Sequence, residues 1–261
     1  MIVSGILAEI VQSKRREIDA LASPEGRLRI DEMLREAPAP RDFRAALQGG
    51  PGFRIIAEMK KASPSRGVLL REFDPVRLAR DYESGGAAAL SVLTDAPYFQ
   101  GCLSDLAKAR EAVSLPVLRK DFVLDESQLE ESRGWGADAV LLIASALETP
   151  TLARLLRRTT SLGMDALVEV HDERDLSRAM DAGASVVGVN NRNLSTFQVS
   201  LKVSLELAGK IPPGILRVSE SGLLSRADLE SLAGAGFDAF LIGESLMVAE
   251  DRPARLREWI G

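Results

Sequence analysis

Residues 134–142 read "GWGADAVLL", and the order of residue types in this stretch carries the fold. Glycine, then small residues, then an apolar β-branched run describes a helix that ends at a left-handed cap and passes directly into a strand. The same joint recurs as "GGAAALSV" (85–92), "AGASVVGV" (182–189) and "GAGFDAFLI" (234–242). Four copies of one helix-to-strand turn imply a repeated unit. The strands they lead into belong to a longer series: "FRIIAEM" (53–59), "AALSVLT" (88–94), "PVLRK" (116–120), "DAVLLIA" (138–144), "DALVEV" (165–170), "SVVGVN" (185–190), "ILRVSES" (215–221) and "AFLIGES" (239–245). That is about eight apolar runs, roughly 20–33 residues apart, with helix-period segments between them. Their near-continuous apolar character suits parallel strands covered on both faces. The alternation predicts an α/β protein, and the repetition predicts a closed (β/α)8 TIM barrel. No GxGxxG or Walker-type loop argues for an open sheet.

A chain of 261 residues fits one such barrel. Nothing after residue 53 has linker composition, so residues 1–261 read as a single domain with residues 1–52 as an N-terminal helical extension. That extension opens with apolar residues at helical spacing (Ile6, Leu7, Ile10, Val11, Ile18, Leu21) and lacks the basic start of a signal peptide. It continues through Pro and Gly breaks and is expected to cover one mouth of the barrel. Lys+Arg of 33 against Asp+Glu of 38 leaves a net charge of −5, which disfavours nucleic acid as a partner. No apolar stretch approaches the ~18 residues of a membrane span. One cysteine (Cys102) and one histidine (His171) leave no intrachain disulfide and no Cys/His metal cluster. A cytoplasmic, metal-free protein is expected.

In a barrel of this kind, chemistry sits at the C-terminal ends of the strands. The residues there are Glu58 and Lys60 (first strand), Lys120 (third), Glu169 (fifth), Asn190 (sixth), and Glu220 with Ser221 (seventh). Positions i and i+2 of a strand share a face, so Glu58 and Lys60 point together and Lys61 points away. Any one of these reads better as a solvated strand end or a structural ion pair; two ammoniums, three carboxylates and an amide, six at corresponding positions, read as one active site. Mixed charges would keep the lysines protonated and the carboxylates tunable. The loops after the last two strands, "SESG" (219–222) and "IGES" (242–245), suit a phosphate. Gly222 and Gly243 allow close backbone approach, and the amides of Glu244 and Ser245 face the anion while the Glu244 side chain turns outward. Arg192 reads as an anion contact or as a surface arginine. Phe99 and Phe122 read as core, or as the wall of an aromatic pocket. His171, ahead of Asp172, reads as part of a helix cap. Lys14–Arg16 and Arg157/Arg158 read as solvated helix faces.

The series "IIAEMKKASPSRG", "LTDAPYFQG", "PVLRKDF", "GADAVLLIA", "LVEVHDE", "GVNNRNL", "VSESG" and "FLIGESLM", spanning residues 53 to 247, resembles the strand-end motifs of indole-3-glycerol phosphate synthase in order and spacing. The resemblance implies closure of 1-(2-carboxyphenylamino)-1-deoxyribulose 5-phosphate to indole-3-glycerol phosphate, with loss of CO2 and water, in tryptophan biosynthesis. By the family's pattern, Lys120 is the general acid on the ketone. Lys60 holds the anthranilate carboxylate and assists proton transfer, supported by Glu58, and Glu169 joins the later acid–base steps. Asn190 positions Lys120 or substrate, and Glu220 with Ser221 orients the sugar hydroxyls. Phe99, Phe122, Leu141 and Ile143 line the anthranilate pocket. Ser63 and the loop residues Arg192, Gly222, Gly243, Glu244 and Ser245 hold the rest of the substrate. The resemblance implies no cofactor, a small sugar-phosphate as the partner rather than nucleic acid or membrane, and a monomer or weak homodimer. Tyr98 and Cys102 stand where the family often has Phe and Ser, and Ala62 where some members have Lys. Two rivals remain, a Schiff-base aldolase, which needs a neutral lysine, and a sugar-phosphate-binding barrel without catalysis. An isomerase acting on the phosphoribosyl anthranilate precursor is a third, but its usual Cys and Asp pair is not evident.

Overall fold

The computed structural model describes residues 6–64, 66–193 and 196–261, with side chains from residue 9 onward. Eight parallel strands close into a barrel: β1 (Arg54–Met59), β2 (Ala89–Leu93), β3 (Val117–Lys120), β4 (Ala139–Ile143), β5 (Asp165–Val170), β6 (Val186–Asn190), β7 (Leu216–Glu220) and β8 (Ala239–Ile242). Each pairs with its sequence neighbour, and β1 closes on β8 with Ile56 opposite Leu241. This is the (β/α)8 TIM barrel. Alternate residues divide the core in two. Ile56, Leu118, Leu141, Leu167, Val218 and Leu241 fill the interior. Ile55, Val117, Val140, Val168 and Val187 face outward beneath the helices.

The glycine joints form as read, and there is a fifth at Gly163 in "LGMDAL". Gly86, Gly136, Gly163, Gly183 and Gly236 all have φ between 75° and 97°. In each, the amide after the glycine reaches back five residues, as in Ala137 to Ser132 (2.9 Å) and Met164 to Thr159 (3.1 Å). This is the Schellman closure, which needs a residue tolerant of the left-handed region.

The extension touches both ends of the barrel. Helix α1 (Ile6–Ala22) buries Ile10 and Leu21 and half-buries Val11 and Ile18; the side chains of Ile6 and Leu7 lie outside the described residues. Helix α2 (Pro24–Glu36), capped by Ser23, packs against the helix Glu126–Gly134. The short α3 (Phe43–Ala46) then closes the N-terminal mouth. Its Phe43 and the following Leu47, both buried, enter the barrel interior, each contributing roughly 1.5–3 kcal/mol of burial. Carboxylates at the strand starts hold the segment: Asp138 accepts from the Arg41 amide (2.8 Å) and Asp165 from the Arg44 amide (3.0 Å).

Lys14 corrects the reading of Lys14–Arg16 as a solvated face. It is buried, 2.8 Å from Asp121 and 3.0 Å from Asp95, two carboxylates just past β3 and β2. Arg158 is likewise tied down, donating to Glu130 at 2.6 Å. A helical wheel records only local neighbours, and these partners lie far along the chain.

Candidate active site

Strand periodicity places the charges. On β1 the inward face runs Ile56, Glu58 and then Lys60 beyond the strand end, and Lys60 Nζ donates to Glu58 Oε1 at 2.6 Å. Lys120 ends β3 pointing inward, while its neighbours Arg119 and Asp121 join the outer, Lys14 side. Lys120 Nζ donates to Glu169 Oε2 (3.2 Å) and lies 3.7 Å from Glu220 Oε2. The Asn190 side chain faces Glu169, and its Oδ1 accepts the Arg192 amide at 3.0 Å.

These groups set one another's protonation. Burial pushes the Lys120 ammonium down, but Glu169, Glu220 and Glu58 outweigh it and hold the pKa above the ordinary lysine value. Burial pushes Glu169 up, but Lys120 and then His171 hold it well below the usual carboxylate range. Glu220 receives less help. Burial and the Glu169 charge push it up to about 8, only partly offset by Lys120. Neither Glu220 oxygen has a hydrogen-bond partner among the described residues. At neutral pH the site therefore holds an ammonium at Lys120, a carboxylate at Glu169 and a protonated carboxyl at Glu220.

The mouth opens into a cavity of about 620 Å3. Glu58, Lys60, Phe99, Lys120, Phe122, Leu141, Ile143, Glu169, Asn190, Arg192, Glu220, Ser221, Gly222, Gly243, Glu244 and Ser245 all line it. Ser63 is not among the lining residues; it sits in the short antiparallel pair of Ala62–Ser63 with Gly67–Val68. Phe99 and Phe122 face each other with ring centroids 6.4 Å apart, forming an aromatic wall across the cavity from the phosphate-type loops.

The indole-3-glycerol phosphate synthase family model matches residues 7–259. A protein of that name from Chlorobium phaeovibrioides is 51% identical over 94% of this chain and 95% of its own. Another from Koribacter versatilis is 48% identical over 99% and 100%. This chain belongs to the indole-3-glycerol phosphate synthase family. Among solved structures, the thiamine phosphate pyrophosphorylase from Pyrococcus furiosus (TM-score 0.59, 15% identity, 79% of this chain and 93% of that one) shares the fold alone. The same holds for the N-acetylmannosamine-6-phosphate 2-epimerase from Clostridium perfringens (TM-score 0.61, 15% identity, 84% and 96%).

In this member of the indole-3-glycerol phosphate synthase family, the two glycine loops differ in what they do. Ser221 and Gly222 both adopt left-handed backbone, with φ of 66° and 77°. For Ser221 that conformation costs on the order of 1–3 kcal/mol. Asn191, buried and not anticipated from sequence, holds the turn: its side-chain amide donates to the carbonyls of Glu220 (3.0 Å) and Ser221 (3.1 Å). Ser245 Oγ braces the other loop by donating to the Leu223 carbonyl at 2.9 Å. Gly243 has a further reason to lack a side chain, besides the expected approach to an anion. A Cβ there would strike the Glu58 carboxylate, so the glycine makes room for a catalytic candidate. Gly188 does the same for Glu220. The Glu244 side chain, expected to turn outward, stays at the cavity rim, 2.7 Å from Arg66 and 3.9 Å from Arg192, which line the cavity with it.

The sequence reading also missed His171 as a site neighbour. Its Nε2 is 3.3 Å from Glu169 Oε1. The signal was available: residue 171 is i+2 from Glu169, so period two carries it onto the same inward face. Arg66, Phe197, Val199 and Leu201 also line the cavity from loops whose path no local pattern foretells.

Proposed function

We propose that this chain closes the indole ring of 1-(2-carboxyphenylamino)-1-deoxyribulose 5-phosphate, releasing CO2 and water. One observation carries the assignment of roles: Lys120 stands between Glu169 and Glu220 at the head of a cavity with an aromatic wall on one side and the glycine loops on the other. The ring carbon bearing the carboxylate attacks the ketone, and the ketone oxygen takes a proton from the Lys120 ammonium. Groups that keep Lys120 charged in the free enzyme suit it to this step, and a positioned general acid contributes ~10²–10⁴-fold. The Lys60 ammonium, steered by Glu58, pairs with the substrate carboxylate. The C–C bond to that carboxylate then breaks, CO2 leaves and the electron pair restores the aromatic ring. In the final step the new hydroxyl takes a proton from the Lys60 ammonium and leaves as water, while the adjacent C–H gives up its proton. Glu169, ionised, is the base within reach, and Glu220, carrying a proton, donates a hydrogen bond to the substrate hydroxyls.

Charge supports the substrate class. Glu58, Glu169, Lys60 and Lys120 cancel, Glu220 is neutral, and Arg66 with Arg192 outnumbers Glu244 at the rim. A site with this surplus favours a ligand carrying a carboxylate and a phosphate. The backbone of the two glycine loops, with Arg192 and Arg66 beside it, is the proposed phosphate seat. A Schiff-base aldolase is disfavoured, since Glu169 and Glu220 hold Lys120 charged rather than nucleophilic. The same reading makes the enzyme cytoplasmic, where a phosphorylated substrate is retained, and a monomer or weak homodimer, since every proposed group comes from one chain. Incubation with the carboxyphenylamino deoxyribulose phosphate while following indole fluorescence tests it. Appearance of indole emission with loss of substrate is the expected result, and an inert mixture overturns the reading.

A further inference from the structure

We propose that His171 is a positioning residue: wedged between Glu169 and Asp175, its imidazolium holds the Glu169 carboxylate turned toward Lys120 and Asn190. The inference rests on the ring-closing reading above for its kinetic consequences, but not for its geometry. Beyond the end of β5, His171 continues the inward face of Leu167 and Glu169. Its ring lies 3.3 Å (Nε2) from Glu169 Oε1 and 3.4 Å (Nδ1) from Asp175 Oδ2, at ion-pair distance rather than in aligned hydrogen bonds. The side chain is only 16% exposed. Glu169 is thus gripped at both oxygens, Oε2 by Lys120 and Oε1 by His171.

Helix capping is what aims the wedge. Asp172 caps the helix Glu173–Ala182 by accepting the Asp175 amide at 2.8 Å. Asp175, fixed on the first turn, accepts the His171 amide at 3.2 Å and faces the ring. The cap and the site are therefore one device, and the "HDERD" stretch serves both. Burial pushes the imidazole down, but Asp175 and Glu169 push it up to about 10, so it is cationic at neutral pH. The charged groups bearing on this pair are Lys120 from β3, Glu220 from β7, Glu58 from β1, and Arg178, 4.0 Å from Asp175 on the same helix. Lys120 and His171 are the cations in direct contact with Glu169. Without His171 one oxygen loses its counter-charge, and the carboxylate is free to turn and to take up a proton at higher pH.

The chain contains one histidine, so the imidazole resonances of the untagged full-length protein need no assignment. An NMR titration should find the ring still protonated at pH 8; a midpoint near the ordinary value of about 6.5 would overturn the wedge whatever the enzyme's activity. For the kinetic role, His171→Ala and Asp175→Asn are compared with wild type across pH. We expect His171→Ala to lower kcat about tenfold or more with KM within about threefold, and to move the acid limb of kcat/KM upward by about one pH unit. Asp175→Asn should shift the limb in the same direction by less. Wild-type kcat and an unmoved acid limb in both variants would sink the proposal, as would lost activity matched by lost thermal stability without a pH shift. Should wild type itself fail to turn over the substrate, the functional reading falls while the titration still decides the wedge.

Discussion

Lys120 and its two chain neighbours belong to different charge clusters, separated by the thickness of one strand. Outside, Arg119 and Asp121 join Lys14, Asp95, Thr94 and Glu131 in a network where nearly every donor and acceptor is matched, Asp95 Oδ2 being held only at ion-pair distance, 3.0 Å from Lys14. Arg119 donates to Thr94, the Gln128 carbonyl, Glu131, Ser132 and Asp121. Asp121 accepts from Thr94 (2.5 Å) and the Phe122 amide (2.8 Å) and pairs with Lys14. Burial pushes Asp121 up, but Arg119 and Lys14 hold it down at about 2. Inside, carboxyls and amines of the same kinds are left partly unmatched, and Glu220 retains a proton that no group among the described residues claims. A buried network that is mostly satisfied fixes geometry; one whose carboxyl is left without a donor keeps a proton available for chemistry.

Substitutions on either side of the strand put this contrast to the test. The largest effect is expected from Lys120→Ala, which should cut kcat by about 10²–10⁴-fold with the far-ultraviolet spectrum and thermal midpoint preserved. A variant within about fivefold of wild type would remove the general acid. Lys14→Met should act in the opposite sense: urea denaturation should show a loss of about 3–5 kcal/mol, because Asp95 loses its cation and Asp121 keeps only Arg119, with kcat reduced less than about tenfold. Loss of activity at full stability would mean that the outer cluster is not structural.

Glu220→Gln sharpens the contrast through pH. The folded carboxyl holds its proton up to about pH 8, whereas an unfolded glutamate releases it near 4. The unfolded chain therefore binds fewer protons across that window, and wild-type stability falls as pH rises through it. Denaturation at pH 5 and pH 9 should show a flatter dependence for the glutamine variant, which should gain about 1–3 kcal/mol on wild type at the higher pH. Parallel curves would mean that Glu220 is ionised at neutral pH. The smallest effect is assigned to Gly243→Ala: a methyl group there meets Glu58, so kcat should drop about three- to tenfold. If only KM moves, Gly243 serves the anion alone.

What the sequence made legible follows from periodicity. Two-residue alternation, applied to "AEMK", "LRKD" and "LVEV", put Glu58, Lys60, Lys120 and Glu169 on the inner wall, where the structure brings them together. The glycine joints gave the repeat, and with it the barrel. Contacts decided by distant segments stayed hidden. Lys14 looked solvated because its partners are residues 95 and 121. His171 was a different case: the cap signal at Asp172 masked the two-residue alternation that carries it to Glu169. Gly188 and Gly243 could not be read as space for carboxylates, since an absent side chain leaves no pattern.

The plug at the bottom of the barrel has a consequence for the order of assembly. Phe43 and Leu47 are made about 190 residues before Ala239 and Leu241, yet these bound part of the hole that they fill. Until β8 zips onto β1, the plug has no socket. A chain stopped short of residue 239 would display two large apolar side chains to solvent, a surface suited to chaperone capture or aggregation. Ring closure and plug insertion should therefore be one late, shared event rather than two steps.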